Sequence, residues 1–326
     1  MVLARALSGI GGAGVMTMAS IIITASVPRR DFAAYRSYIS LATTLGRSNG
    51  WPLGGLVFHP YGGIDTFRER RIPGARFFDL DEVADKTSSI PHTLPDAGQF
   101  ASAMTSLGIT KDDTVVVYDT YELGITSAPR AAWTFKVFGH AKVHVLNNFR
   151  RWVEQGYPVE SEGFLHADKV EAAPAVAPTV SPYTTPELNK SRVVNFDQVK
   201  EAALAHKQLD TVPIDQYSRG RTPQILDARP YGRWAGTTLE PRVGLSSGHI
   251  PGSINVPITD VLDPRTKAFL SAEQLRKVFE AKNIDPARPV ITTCGSGVTA
   301  AVIDAALDAA DYIMERDRKL YDGSWL

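Results

Sequence analysis

Beyond residue 50 the chain alternates short continuous apolar runs with stretches of helical periodicity. Thr114-Val-Val-Val-Tyr118, Gln224-Ile-Leu-Asp-Ala228, the Ile254–Val256 stretch and Pro289-Val-Ile-Thr-Thr293 are too short for helices. They read as buried strands. Helix starts are marked between them. Asp96-Ala-Gly-Gln99 and Ser271-Ala-Glu-Gln274 are capping boxes, in which the first side chain and the Gln satisfy each other's free backbone donors. Asn195-Phe-Asp-Gln198 opens another helix, Ser127-Ala-Pro-Arg130 starts one with Pro in its first turn and Gly139 at its close, and a last one runs from Val298 to Ile313. Such alternation predicts parallel strands joined by crossover helices and covered on both faces, an α/β fold.

The pattern repeats. Ile72-Pro-Gly-Ala-Arg-Phe-Phe-Asp-Leu-Asp-Glu-Val83 recurs as Ile250-Pro-Gly-Ser-Ile-Asn-Val-Pro-Ile-Thr-Asp-Val261. Each copy leads to a capping-box helix and then a strand, and the two strands end at Asp119 and Cys294. Three matched elements at nearly constant separation predict two homologous domains. The amino-terminal domain is expected over residues 51–159 and the carboxy-terminal one over 191–326, with a Pro-rich linker over 160–190 carrying Pro174, Pro178, Pro182 and Pro186. Lys207 to Pro223 reads as a surface insertion. Residues 1–50 hold several arginines and a single acid, Asp31, among Ser, Thr, Ala and Gly. That composition suits a leader that is either transit-like or disordered. It predicts a mitochondrial location, with a cytoplasmic one as the alternative.

The 326 residues are enough for two domains of about 150 residues each. Lys+Arg and Asp+Glu are both 35, so bulk charge gives no reason to expect nucleic-acid binding. No apolar run reaches the roughly 18 residues of a membrane-spanning helix. The single cysteine excludes an internal disulfide framework and a multi-cysteine zinc site.

That cysteine stands where chemistry is expected. Thr293-Cys294-Gly-Ser-Gly-Val-Thr-Ala300 runs from a strand into an Ala-rich helix, at the carboxyl edge where parallel sheets bind ligands. Two glycines allow the backbone to curl so that successive N–H groups and the helix amino terminus face one centre, an anion nest that favours a thiolate. A Cys-x5-Arg phosphatase loop would need Arg where Ala300 stands. A cysteine-protease reading needs a base, and the sequence brings none of His92, His140 or His249 to the thiol. A nest without a clamping arginine suits a persulfide anion. Arg229, Arg233 and Arg242 follow a strand at the same edge and form a candidate carboxylate site.

Taken together, Arg71-Ile-Pro-Gly-Ala-Arg-Phe-Phe-Asp79, Ser127-Ala-Pro-Arg130, Gly248-His-Ile-Pro-Gly252, Cys294-Gly-Ser-Gly-Val-Thr-Ala300 and Tyr321-Asp-Gly-Ser-Trp325 resemble the tandem-rhodanese sulfurtransferases, most closely the 3-mercaptopyruvate sulfurtransferases. The resemblance implies two tandem rhodanese-like α/β domains, each a central parallel sheet flanked by helices, with a catalytically silent amino-terminal domain. It implies that Cys294 forms the persulfide, that Gly295, Gly297, Val298 and Thr299 belong to the loop cradling its sulfur, and that Ser296 assists proton transfer. Arg233 and Arg242 match the pair gripping the substrate carboxylate and carbonyl. Thiosulfate-type members carry basic residues directly after the cysteine, whereas Gly295 and Ser296 are neutral, which favours a monoanionic α-keto acid. Many mercaptopyruvate enzymes have His before the first Ile-Pro-Gly. Here it is Arg71, a contributor of positive potential.

The expected activity moves sulfane sulfur from 3-mercaptopyruvate through Cys294 to a thiol acceptor such as thioredoxin, to a sulfur-carrier protein, or to cyanide, releasing pyruvate. No metal or organic cofactor is implied. The alternatives are a thiosulfate sulfurtransferase on the same cysteine and a non-catalytic sulfur-relay or scaffold protein.

Overall fold

A computed structural model describes residues 55–58, 63–161, 182–209, 222–242 and 244–325. The leader expected over 1–50, most of the linker (162–181) and most of the insertion (210–221) lie outside the described residues.

Two parallel sheets carry the fold. The first contains β1 (Gly55–Phe58), β2 (Arg76–Phe77), β3 (Val115–Asp119) and β4 (Val143–Val145) in the order β2-β1-β3-β4. Its helices are α1 (Gly63–Glu69), α2 (Leu80–Val83), α3 (Ala97–Ser106), α4 (Ala128–Val137) and α5 (Phe149–Glu154). The second sheet contains β5 (Val193–Val194), β6 (Gln224–Asp227), β7 (Ile254–Asn255), β8 (Val290–Thr293) and β9 (Arg318–Tyr321) in the order β5-β9-β8-β6-β7. With it go α6 (Phe196–Leu209), α7 (Tyr231–Trp234), α8 (Ala272–Ala281) and α9 (Val298–Ala309). Every pairing is parallel. The neighbour sequence β2-β1-β3-β4 returns as β7-β6-β8-β9, so the repeat in the sequence is a repeat of topology, with β5 added at one edge.

Strands β3, β6 and β8 are buried along their whole length, which is why they read as unbroken runs rather than as alternations. Both expected capping boxes form: Asp96 Oδ1 accepts from Gln99 N at 2.8 Å and Ser271 Oγ from Gln274 N at 3.3 Å, and each Gln side chain answers. Asn195 and Gln198 bond reciprocally in the same way at the start of α6. The last helix ends at Ala309 rather than Ile313, because Asp311 takes a left-handed backbone (φ 48) that a helix interior does not admit.

The two domains share a core across α4 and α9. Ile125, Trp133 and Val137 of the first pack with Ala300, Ala301 and Ile303 of the second. Val298, opening α9, packs with Phe100, Ala131 and Phe135 of the first. Since α4 follows β3 and α9 follows β8, the paired helices bring the carboxyl ends of the two equivalent strands towards the same interface.

His140 closes the far end of α4. Its Nε2 lies 3.0 Å from the Asp113 carbonyl, which can only accept, so Nε2 carries the proton and Nδ1 accepts from the Tyr183 hydroxyl at 3.0 Å. Burial pushes this imidazole below its ordinary 6.5. The unfolded chain therefore binds a proton there that the folded chain refuses. The stability this neutral ring contributes is complete above about pH 6.5 and is lost as pH falls below it. The stability advantage of the native chain over a His140→Gln variant, measured by urea unfolding, is expected to shrink between pH 7.5 and 5.5. A difference that stays constant across that range would contradict the assignment.

Candidate active site

Strand β8 lies between β9 and β6 and delivers Cys294 at its carboxyl end. The thiol is buried, 2% exposed. The chain then turns through Gly295-Ser296-Gly297 into α9, and Gly297 takes φ 76. A side chain is strained in that conformation, so glycine is required. The turn aims the Ser296 amide at Cys294 Sγ, 3.5 Å away. Val298 is buried beneath the loop, and Thr299 is half-buried in the first turn of α9. The Cys294 carbonyl accepts from the Trp325 amide at 2.9 Å, which ties the carboxy-terminal segment to the site. Trp325 Nε1 donates to the Ser246 carbonyl.

Two of the three candidate arginines converge on the residue after the cysteine. Arg242 Nη2 donates to the Gly295 carbonyl at 3.0 Å. Arg233 lies so close that a Cβ on Gly295 would sit 2.9 Å from its Nη2, so a side chain there would push the guanidinium aside. Arg242 Nη1 is buried and makes no hydrogen bond among the described residues. Buried donors left unpaired cost free energy, so such an atom marks where an acceptor is wanted.

Arg229 is committed elsewhere. It is fully buried, paired with Asp227 (2.6 Å) and Glu240 (2.9 Å), bonded to the Gly248 carbonyl and covered by the Trp325 ring. Sequence reasoning passed over Glu240, which holds Arg229 with one oxygen and Arg233 with the other. Burial alone would raise the Glu240 carboxyl, but hydrogen bonds and charge from Arg233 and Arg229 hold it low. The only available signal was its place between arginines in the Arg229–Arg242 stretch. Spacing alone does not say which acid meets which base.

Arg71 meets Glu160 at 2.6 Å and lies over the Phe67 ring. The second Glu160 oxygen receives the Gly74 amide, so the pair braces the turn after Ile72. Among the histidines, His249 stacks on Trp234. His92 Nε2 meets Asp81 at 2.8 Å. Burial pushes the His92 imidazole down, and the charges of Arg130 and Arg242 act in the same sense against Asp81.

At the equivalent place in the first domain stands Asp119. Its buried carboxylate accepts from the amides of Thr126, Ser127 and Ala128 at 2.8 to 3.1 Å. The loop before α4 is longer than the loop before α9, so the acid reaches the helix amino terminus and caps it, while the Ser127 side chain makes no cap bond. Burial pushes the Asp119 carboxyl up to about 7 against the pull of those amides. The position that the Cys294 thiol holds in the second domain is held here by a carboxylate bonded to the amides of its own loop and helix start.

Residues 202–326 match the family model of the rhodanese-like domain. The chain is 38% identical over 265 residues to the 3-mercaptopyruvate sulfurtransferase of Mus musculus, covering 80% of this chain and 77% of that protein. It is 41% identical over 263 residues to the thiosulfate sulfurtransferase of Bos taurus, covering 79% and 77%. Its fold matches the sulfur transferase subunit of yeast mitochondrial complex I with a TM-score of 0.69 at 33% identity, over 87% of this chain and 93% of that one. Parallel sheets in tandem, a cysteine at the carboxyl end of a central strand and likeness over most of the length of these relatives lead to one assignment: the chain belongs to the tandem-rhodanese sulfurtransferases and is an enzyme that transfers sulfur.

Proposed function

We propose that the sulfur donor is 3-mercaptopyruvate and that sulfur is carried as a Cys294 persulfide. The observation that carries this reading is the convergence of Arg233 and Arg242 on Gly295, with Arg242 Nη1 buried and unpaired beside a neutral loop. Glu240 already offsets much of the Arg233 charge, so the pair presents roughly one net positive charge, suited to a monoanionic α-keto acid.

In this scheme the two guanidinium groups hold the donor's carboxylate and keto oxygen. The Cys294 thiolate attacks the donor sulfur, forming an S–S bond while the C–S bond breaks. The electron pair of that bond goes to carbon as an enolate, whose oxygen the arginines stabilise. A proton then adds to carbon and pyruvate leaves. Ser296 sits next to the reacting sulfur and passes this proton, and the amides of the Gly295–Thr299 loop hold the persulfide anion. A thiol acceptor such as thioredoxin, a sulfur-carrier protein or cyanide removes the outer sulfur and restores Cys294, in two half-reactions. Arg71, bound to Glu160, acts as a tie in the first domain. No cofactor or metal enters any step. The catalytic domain comprises residues 191–326 and the silent one 51–159, a division supported by the Asp119 carboxylate bonding to the amides of its own loop and helix start. The acid-poor, basic leader and the likeness to a mitochondrial subunit support a mitochondrial location.

A second reading, thiosulfate as donor, is favoured by the identity to the bovine enzyme. Steady-state kinetics with cyanide as common acceptor separates the two. The value of kcat/KM for 3-mercaptopyruvate is expected to exceed that for thiosulfate by about 100-fold, or ~2.7 kcal/mol of transition-state stabilisation. Equal values, or a preference for thiosulfate, would overturn the assignment of the donor.

A further inference from the structure

We infer that Arg130, in the domain without the cysteine, is a positioning residue for the Cys294 loop. The inference rests on the reading of Cys294 as the sulfur carrier and adds a residue that touches neither the sulfur nor the donor.

Arg130 is fully buried in α4. Its Nη2 donates to the His92 carbonyl at 2.6 Å and to Asp322 Oδ1 at 2.5 Å, and its guanidinium lies over the Trp133 ring. Its Nε and Nη1 are buried and make no hydrogen bond among the described residues. Nη1 faces the loop: a Cβ built on Gly297 would fall 2.9 Å from it. Gly297 is the left-handed residue that turns the loop into α9, so the guanidinium is packed against the one peptide whose conformation sets where the loop amides point.

Asp322 holds Arg130 from the other side and also accepts the Leu94 amide at 2.8 Å. It sits three residues before Trp325, whose amide binds the Cys294 carbonyl. One buried cation thus links the first domain, the carboxy-terminal segment and the back of the loop. A planar fork that serves several partners at once is a task for which arginine and lysine are not interchangeable. Losing the fork should let the loop wander from the sulfur without altering how Arg233 and Arg242 hold the donor. The effect belongs in kcat, not in KM, since a loop misplaced by a fraction of an ångström slows the chemical step.

The test compares Arg130→Lys, Arg130→Met and Asp322→Asn with the native chain, measuring kcat and KM for 3-mercaptopyruvate and persulfide formation by intact mass. The expected result is a kcat reduced about 100-fold in Arg130→Met and about tenfold in Arg130→Lys, where the retained charge restores part of the effect. KM should stay within about threefold of native in both. Asp322→Asn, which leaves the arginine in place but loosens its anchor, should lower kcat about threefold or more with KM unchanged, and it decides the matter if neither Arg130 variant folds. An unchanged kcat in folded Arg130→Lys or in Asp322→Asn, or a KM that rises as kcat falls, would overturn the inference. A native chain that forms no persulfide would instead overturn the reading of Cys294, so the two failures are distinguishable.

Discussion

Cys294→Ser is expected to abolish sulfur transfer while leaving the fold intact. The reaction requires an S–S bond between the enzyme and the donor sulfur, and a serine oxygen neither attacks sulfur nor carries it as a stable adduct. Removing the nucleophile of a covalent cycle lowers kcat by at least about 10⁴-fold. The substitution is nearly isosteric at a buried position beside the Ser296 amide, so the thermal midpoint should move by only a few degrees. Rates with 3-mercaptopyruvate and thiosulfate, each measured with cyanide, check the expectation. Because no other cysteine exists in the chain, residual turnover above about one part in a thousand of the native rate would remove Cys294 from the mechanism.

The second large effect is expected from Arg242→Ala. Arg242 approaches the loop through the Gly295 carbonyl and holds a second, unpaired donor next to it. A charge-assisted hydrogen bond to a carboxylate in a partly buried site contributes about 2 to 4 kcal/mol, so kcat/KM for 3-mercaptopyruvate should fall about 30- to 1,000-fold. Most of the loss should appear as a raised KM, since the carboxylate is present in ground and transition states alike. Arg242 is a cleaner probe than Arg233, whose removal would strip Glu240 of one of its two partners. An unchanged KM would place the carboxylate elsewhere.

Much of this architecture is legible in the sequence because its signals are local. Strand β8, the Gly-rich turn and the start of α9 lie within a dozen residues, and both capping boxes are four-residue patterns that form as read. The repeat of the Ile-Pro-Gly segments is carried into three dimensions as a repeat of strand order. What stays hidden is long-range. Strand β9 is masked by its charged residues: Arg318 is buried and donates through its Nη atoms to the Asp304 carbonyl and the Asp308 carboxylate of α9, a pairing no period reveals. Glu240 looks like any surface acid until two arginines fold around it. Asp119 is visible as the counterpart of Cys294, but its capture of the α4 amides follows from a loop length that means little before the helix start is known. Arg130 stands in the Ser127-Ala-Pro-Arg130 motif, yet its closeness to Gly297 depends on α4 packing against α9.

The central claim is that Cys294 carries sulfur taken from 3-mercaptopyruvate. Intact mass of the purified protein before and after incubation with that donor tests it most directly. The account predicts a gain of one sulfur atom, about 32 Da, reversed by a thiol reductant and absent from Cys294→Ser. A folded protein whose mass is unchanged by 3-mercaptopyruvate would contradict it.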